Sequence, residues 1–366
     1  MVGLLYKLGV KRRFLITTNN ERGKKMTEVK CVVWDLDDTL WNGTLIEGDE
    51  IVLKEGMMEI LKTFDERGIL LSIASKNNYN QVMEELRKME IEKYFLYPQI
   101  NWNSKSNSIA EIQKKLNIGM NTILFIDDQA YERDEVKFQY PEVETVDAAQ
   151  YKELLQMTRL NPKVVTADSR RRRLMYMEDK RRNDSEAAFV GPKSEFLKSL
   201  DMKFRISLSN EEDLQRLEEL TRRTNQLNST GIQYSHEELK KFMNLPEYDL
   251  WGCELEDKYG SYGKIGLSLV HKTEEGWIIK LLLMSCRTVS KGVGTVLLSF
   301  LMKRALEQNQ RLFAEFKRTD RNRQMLITYQ LANFIKAHTD GDMSLFENDL
   351  SKIQKFPDYI DVQITN

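Results

Sequence analysis

Three carboxylates fall within four positions in the stretch Val33-Trp34-Asp35-Leu36-Asp37-Asp38-Thr39-Leu40, directly after an apolar run. Their mutual repulsion calls for a cation. A hard divalent ion such as magnesium takes oxygen ligands and shares carboxylates with a substrate phosphate. The two-residue period of an extended strand end points Asp35 and Asp37 the same way. An acidic turn capping a helix, with Asp37 or Asp38 as N-cap, is the competing reading. A second acidic pair, Asp127-Asp128, ends the apolar run Thr122-Ile123-Leu124-Phe125-Ile126. Asp127 would complete a metal site with Asp35 and Asp37, with Asp128 as an alternative ligand or the holder of a water.

These groups need a frame that brings them together. From Val29 to about Val146 apolar runs alternate with helical patterns, the signature of an α/β fold with a parallel sheet covered on both faces. Met57, Ile60, Leu61 and Phe64 recur at helical spacing and Gly68 sits where that helix would end. Ile69 to Ala74 reads as a second strand leading to Ser75-Lys76-Asn77-Asn78, and Val82, Leu86 and Met89 mark the next helix. Ligands of open α/β sheets bind outside the carboxyl ends of the strands, where Asp35, Ser75 and Asp127 would converge. From position 35 to 75 is 40 residues and from 75 to 105 is 30. That spacing leaves no room for an inserted cap domain, so Trp41, Asn42 and Glu47 on a short flap become candidates for touching substrate.

Asp35-x-Asp37-x-Thr39 after an apolar strand resembles the nucleophile motif of the haloacid dehalogenase superfamily, most of whose members are phosphohydrolases. The resemblance implies that Asp35 attacks phosphorus, Asp37 serves as acid and base, Ser75 hydrogen-bonds the phosphate and Lys105 neutralises it, around Mg2+. Ser75 taken alone reads equally well as a helix cap. The longer string from Trp34 to Thr44 resembles the FkbH-like proteins of polyketide pathways. These are understood to take a glyceryl unit from 1,3-bisphosphoglycerate, remove its phosphate and load it onto the phosphopantetheine of an acyl carrier protein. Family members often carry a cysteine just before Ser-Lys-Asn, where this chain has Ala74. That difference implies either direct transfer to the carrier thiol or loss of the transfer half, leaving a simple phosphohydrolase on another small phosphate. A carrier-protein binding module is a further alternative.

The 366 residues suffice for about two domains. With 55 basic and 56 acidic side chains, composition argues against bulk attraction to nucleic acid or a membrane surface. Cys31, Cys253 and Cys286 are too scattered for a disulfide framework or zinc cluster, which points to a reducing cytoplasm. No apolar run is long enough to span a bilayer. Residues 1–25 make a poor export signal and read as a disordered arm or an upstream start. The expected organisation is therefore an N-terminal extension (1–25), a HAD-like catalytic domain with minimal cap (26–160), a basic helical linker (161–202) and an α+β domain (203–366).

The linker carries Arg170 to Arg173 and Lys180-Arg181-Arg182, read as a solvated helix or as a docking surface for an acidic carrier. Beyond it, Lys291-Gly292-Val293-Gly294 opens a helix after two aliphatic strands. Glycines before a helix let backbone N–H groups approach an anion. This resembles the acetyltransferase (GNAT-like) fold, although Val289 replaces the Arg or Gln that would hold a pyrophosphate. Arg223 to Asn228, Met284 to Arg287 and Thr319 to Asn322 also resemble FkbH-like C-terminal segments. Asn225, Gln226, Cys286 and Arg287 are thereby candidates for holding a pantetheine arm or the substrate.

Overall fold

A computed structural model describes residues 27–365, so the N-terminal extension lies outside the described residues. The chain divides into two compact units between Lys180 and Arg181.

The first unit begins with β1 (Cys31–Trp34), then a flap made of β2 (Trp41–Asn42) and β3 (Val52–Leu53). There follow α1 (Met57–Glu66), β4 (Leu70–Ser75), α2 (Tyr79–Lys88), β5 (Gln99–Ile100), α3 (Lys105–Leu116), β6 (Ile123–Asp127), α4 (Ala130–Gln139) and β7 (Glu144–Asp147). Two linker helices, α5 (Ala167–Arg170) and α6 (Arg172–Ala188), come next. The strands form a five-stranded sheet in the order β5-β4-β1-β6-β7, parallel throughout. Alternate residues of β1 enter different cores: Val32 and Trp34 pack on one face and Cys31 and Val33 on the other. A strand buried on both sides must be apolar at every position, which is why its acids appear only where the sheet ends. The cap is minimal, a hairpin pairing Trp41 with Leu53 and Asn42 with Val52.

Helix α1 buries Met57, Ile60, Leu61 and Phe64 and stops at Gly68. Gly68 has φ +67°, and its N–H and that of Ile69 donate to Asp65 and Phe64, the paired bonds of a left-handed helix stop. A Cβ at Gly68 would lie 2.4 Å from the Arg172 guanidinium. Arg172 in turn donates to the Gly68 carbonyl at 2.6 Å and is buried. Arg173 donates to both Asp65 oxygens, at 2.9 and 3.0 Å. The solvated linker helix expected from its charge is corrected at Arg172 and Arg173, which are held by neighbours within their own unit, whereas Arg170, Arg171, Lys180 and Arg181 are exposed.

The second unit contains α7 (Lys193–Lys198), β8 (Met202–Leu208), α8 (Glu211–Arg223), α9 (His236–Met243), β9 (Tyr248–Asp257), β10 (Gly260–Thr273) and β11 (Gly276–Met284). It continues with α10 (Val293–Glu307), β12 (Leu312–Lys317), α11 (Arg323–Leu331), β13 (Ile335–Asp340), β14 (Met343–Asn348) and β15 (Ile360–Thr365). Its sheet runs β13-β14-β12-β11-β10-β9-β8-β15 and is mixed, with β11/β12 and β8/β15 parallel. Arg182 joins this unit through both oxygens of buried Asp257, at 2.6 and 2.8 Å, with its guanidinium 3.9 Å from the Tyr262 ring centroid.

Strands β11 and β12 pair only from Trp277/Leu312 to Ile279/Ala314 and then part. The segment after α8 fills the wedge. Met284 N–H donates to the Leu227 carbonyl (2.9 Å), Ser229 N–H to the Leu282 carbonyl (3.0 Å), and Lys317 N–H to the Ser229 carbonyl (3.0 Å). The Ser229 hydroxyl accepts from Leu282 N–H at 3.0 Å, and the Asn322 amide donates to the Asn228 carbonyl at 3.0 Å. Backbone groups that diverging strands would leave unpaired are thus satisfied from within the chain.

His271 on β10 stacks on Tyr248 with ring centroids 4.3 Å apart. Burial, followed by the charge of Lys280, holds its imidazole below the ordinary 6.5, against the opposing pull of Glu247. The folded state therefore binds fewer protons than the unfolded one. Its contribution to stability is present above pH 6.5 and is lost as pH falls through the depressed folded value. Melting followed across this range should show a fall on acidification that His271→Phe reduces.

Candidate active site

Register places the first two acids level with each other. Trp34 pairs with Ile126, so Asp35 and Asp127 end adjacent parallel strands, and Asp35 N–H donates to the Ile126 carbonyl at 2.9 Å. Carboxylate oxygens of Asp35, Asp127 and Asp128 lie within 4.8 Å of one another. Lys105 is the first residue of α3, whose N-cap Ser104 accepts from Asn107 N–H. Its ammonium is buried and donates to Asp35 at 2.5 Å, to Asp127 at 2.9 Å and to the Ala74 carbonyl at 2.9 Å.

The electrostatics follow from burial. Loss of water pushes Asp35 up to about 7, with Lys105 pulling it down and Asp127 pushing it further up. Asp127 is raised for the same first reason, with Lys105 opposing. Burial works against the charge of Lys105, yet the two carboxylates more than offset it and its pKa lies above the ordinary lysine value. Three carboxylates thus lie together with one buried ammonium among them, and the charge of Lys54 also reaches Asp128. This donor set, all oxygen and in excess of its counter-charge, fits a hard divalent cation.

Asp37 is not in the cluster. Of the ligands expected, Asp35, Asp37 and Asp127 with Asp128 as an alternative, the structure brings together the side chains of Asp35, Asp127 and Asp128, while the Asp37 carboxylate turns to other donors. Trp41 Nε1 donates to its Oδ1 at 2.9 Å and Asn77 Nδ2 to its Oδ2 at 2.9 Å. Trp41, from sequence a candidate for touching substrate or equally for packing, is fully buried, whereas Asn42 beside it is exposed. Asp128 is fixed through Thr39, whose hydroxyl accepts from Asp128 N–H at 3.0 Å. Ser75 closes β4 in a buried position, opposite Ile100 of β5.

Asn77 and Thr39 are the residues that sequence reading did not single out. Asn77 sits beside Asn78, the true N-cap of α2, and two asparagines before a helix look like capping alone. Thr39 stands inside the acidic motif but nothing local reveals its partner, 89 positions away.

The second-unit candidates can be placed as well. Asn225 and Gln226 are half-buried in the turn leading into the wedge, Cys286 is half-buried just after β11, and Arg287 donates to the Tyr262 carbonyl at 2.9 Å. Val289 is 40% exposed, and Tyr359 covers Gly292, whose Cβ would meet its hydroxyl at 2.9 Å.

Residues 39–135 match the profile of the family described as haloacid dehalogenase-like hydrolase. The match begins just past Asp37 and includes Ser75, Lys105, Asp127 and Asp128. Within the first unit, this stretch is similar to haloacid dehalogenase-like hydrolases. A magnesium-complexed structure of the N-terminal part of a Bacteroides fragilis protein, containing a phosphatase domain, is similar to this chain at 28% identity. That alignment covers 37% of this chain and 40% of the other, with a TM-score of 0.30. The ribosomal-protein-S18-alanine N-acetyltransferase of Escherichia coli is similar at 14% identity, covering 39% and 90% with a TM-score of 0.31. The PaiA N-acetyltransferase of Thermoplasma acidophilum, in complex with coenzyme A, is similar at 18% identity, covering 39% and 97% with a TM-score of 0.32. A comparison with curated proteins finds no match. No helix among the described residues is long and apolar enough to cross a membrane.

Proposed function

We propose that the haloacid dehalogenase-like domain is a magnesium-dependent phosphatase working through an aspartyl-phosphate, and that it serves glyceryl transfer to an acyl carrier protein. The observation that carries the phosphatase reading is the convergence of Asp35, Lys105, Asp127 and Asp128 at the carboxyl end of the parallel sheet. Asp35 attacks phosphorus, forming a carboxylate–phosphorus bond as the bond to the departing oxygen breaks. Asp37 gives that oxygen a proton and then takes one from the water that releases phosphate. Lys105 neutralises the transferring group, Ser75 hydrogen-bonds it, and Asp127 and Asp128 hold the ion with Asp35. Magnesium, when bound, offsets charge on the phosphoryl oxygens.

The finer reading rests on the FkbH-like strings. The pantetheine thiol of a carrier protein would attack the acyl-phosphate carbonyl of 1,3-bisphosphoglycerate, forming a thioester and releasing phosphate. The remaining phosphomonoester would then be hydrolysed at Asp35. One observation favours a second reading, a simple phosphohydrolase: Ala74, where the family often has a cysteine, is buried and offers only its carbonyl, to Lys105.

Incubation with 1,3-bisphosphoglycerate, magnesium and a pantetheine-loaded carrier, followed by intact mass measurement, tests both. A glyceryl adduct on the carrier supports transfer; phosphate without adduct supports the simple hydrolase; the absence of both products rejects glyceryl transfer. Magnesium at 100 times its dissociation constant should also stabilise the first unit by about 2.7 kcal/mol. Calorimetry with and without a chelator checks this, and melting curves that coincide would remove the ion from the site.

A further inference from the structure

Asp37 is held by its carboxylate in a way that assigns different roles to its two oxygens. Oδ1 accepts from Trp41 Nε1 at 2.9 Å and from Leu45 N–H at 3.3 Å. A carboxylate oxygen has two acceptor positions, so Oδ1 is filled. Oδ2 accepts only from Asn77 Nδ2 at 2.9 Å among the described residues, which leaves it one position. The Asn77 amide is itself fixed, because its oxygen accepts from Asn78 N–H at 2.9 Å and so turns its nitrogen toward Asp37. Both clamping side chains are buried, Trp41 at 0% and Asn77 at 2% exposure.

We propose that Trp41 and Asn77 are positioning residues for Asp37, directing the proton onto Oδ2 and aiming it at the leaving-group oxygen. The assignment rests on the phosphatase reading above. The Oδ1 contacts both come from the flap, Trp41 on β2 and Leu45 at the start of the short turn Leu45–Glu47, while the Oδ2 contact comes from the loop after β4. Two separate chain segments therefore fix one carboxyl group from opposite oxygens. Loss of Asn77 frees Oδ2 and loss of Trp41 leaves Oδ1 only the longer Leu45 bond, so in either case the carboxyl can rotate, and a rotated acid no longer meets the departing oxygen at hydrogen-bonding distance.

Leaving-group dependence separates this role from a merely structural one. An alkyl leaving group such as that of glycerol 3-phosphate needs the proton, whereas p-nitrophenolate departs without it. kcat/KM includes only steps up to formation of the aspartyl-phosphate, so the later base role of Asp37 does not enter. Asn77→Ala and Trp41→Phe should each lower kcat/KM for glycerol 3-phosphate by about 10²-fold and that for p-nitrophenyl phosphate at least about tenfold less. In an Asp37→Asn background, Asn77→Ala should add less than about twofold on phenyl phosphate, since the group it aims is gone. Equal losses on both esters in variants with native circular dichroism would overturn the assignment. So would a full additional loss in the Asp37→Asn background. A folded native enzyme inert to all three esters with magnesium overturns the phosphatase reading itself, and the assignment with it. An active enzyme whose variants keep the native ratio between esters overturns the positioning role alone.

Discussion

Asp35→Asn should slow phosphate release by at least about 10²-fold and abolish the covalent phosphoryl-protein. The carboxamide keeps the volume and planarity of the side chain but is a far weaker nucleophile toward phosphorus than a carboxylate. It also removes one of three facing negative charges, so Lys105 keeps Asp127 and the Ala74 carbonyl as partners. Folding should survive the change, and circular dichroism with a melting curve establishes that it does. Acid-quenched mass spectrometry then looks for the phosphorylated protein directly. A variant that turns over at the native rate would take the nucleophile role away from Asp35.

Arg182→Met should destabilise the second unit by about 3–5 kcal/mol, the usual consequence of stranding one partner of a buried ion pair. The side chains of Arg182 and Asp257 are 2% and 0% exposed, so solvent cannot take the place of the lost guanidinium. Asp257 would keep the Tyr262 hydroxyl and Tyr259 N–H, both at 2.9 Å, and these neutral donors do not balance its charge. For a unit of this size the expected fall in melting temperature is roughly 6–20 °C. Calorimetry reads it, and a fall under about 2 °C would show that Asp257 finds other compensation. Replacing both residues by apolar ones of similar volume should recover much of the loss, because then no charge is left stranded.

The acids were legible because a parallel strand buried on both faces tolerates no charge, so Asp35 and Asp127 stand out against the runs before them. Gly68 was legible for a comparably local reason, since a helix stop needs a left-handed residue and the apolar period says where the helix ends. Lys105 was readable only through family resemblance, as a lysine shows its burial by nothing in its neighbourhood. The linker arginines misled because their partners, Asp65 and Asp257, are 108 and 75 positions away and sequence shows charge without pairing. The direction of the Asp37 side chain was a different case. The two-residue period correctly set Asp35 and Asp37 apart from Leu36 between them, but the strand ends at Trp34 and the turn beyond it sends the two carboxylates to different partners.

The polar stretch Asn225-Gln226-Leu227-Asn228-Ser229-Thr230 looks like an ordinary connector between two helices, the kind of place where a tag or protease site is inserted. Its seat between β11 and β12 makes it behave as part of the sheet instead. Amides there should exchange with solvent as slowly as those of the central strands, and limited proteolysis should spare this connector while cutting exposed hairpin tips. Lengthening it by even a few residues would pull a keystone from the middle of the unit rather than decorate its surface.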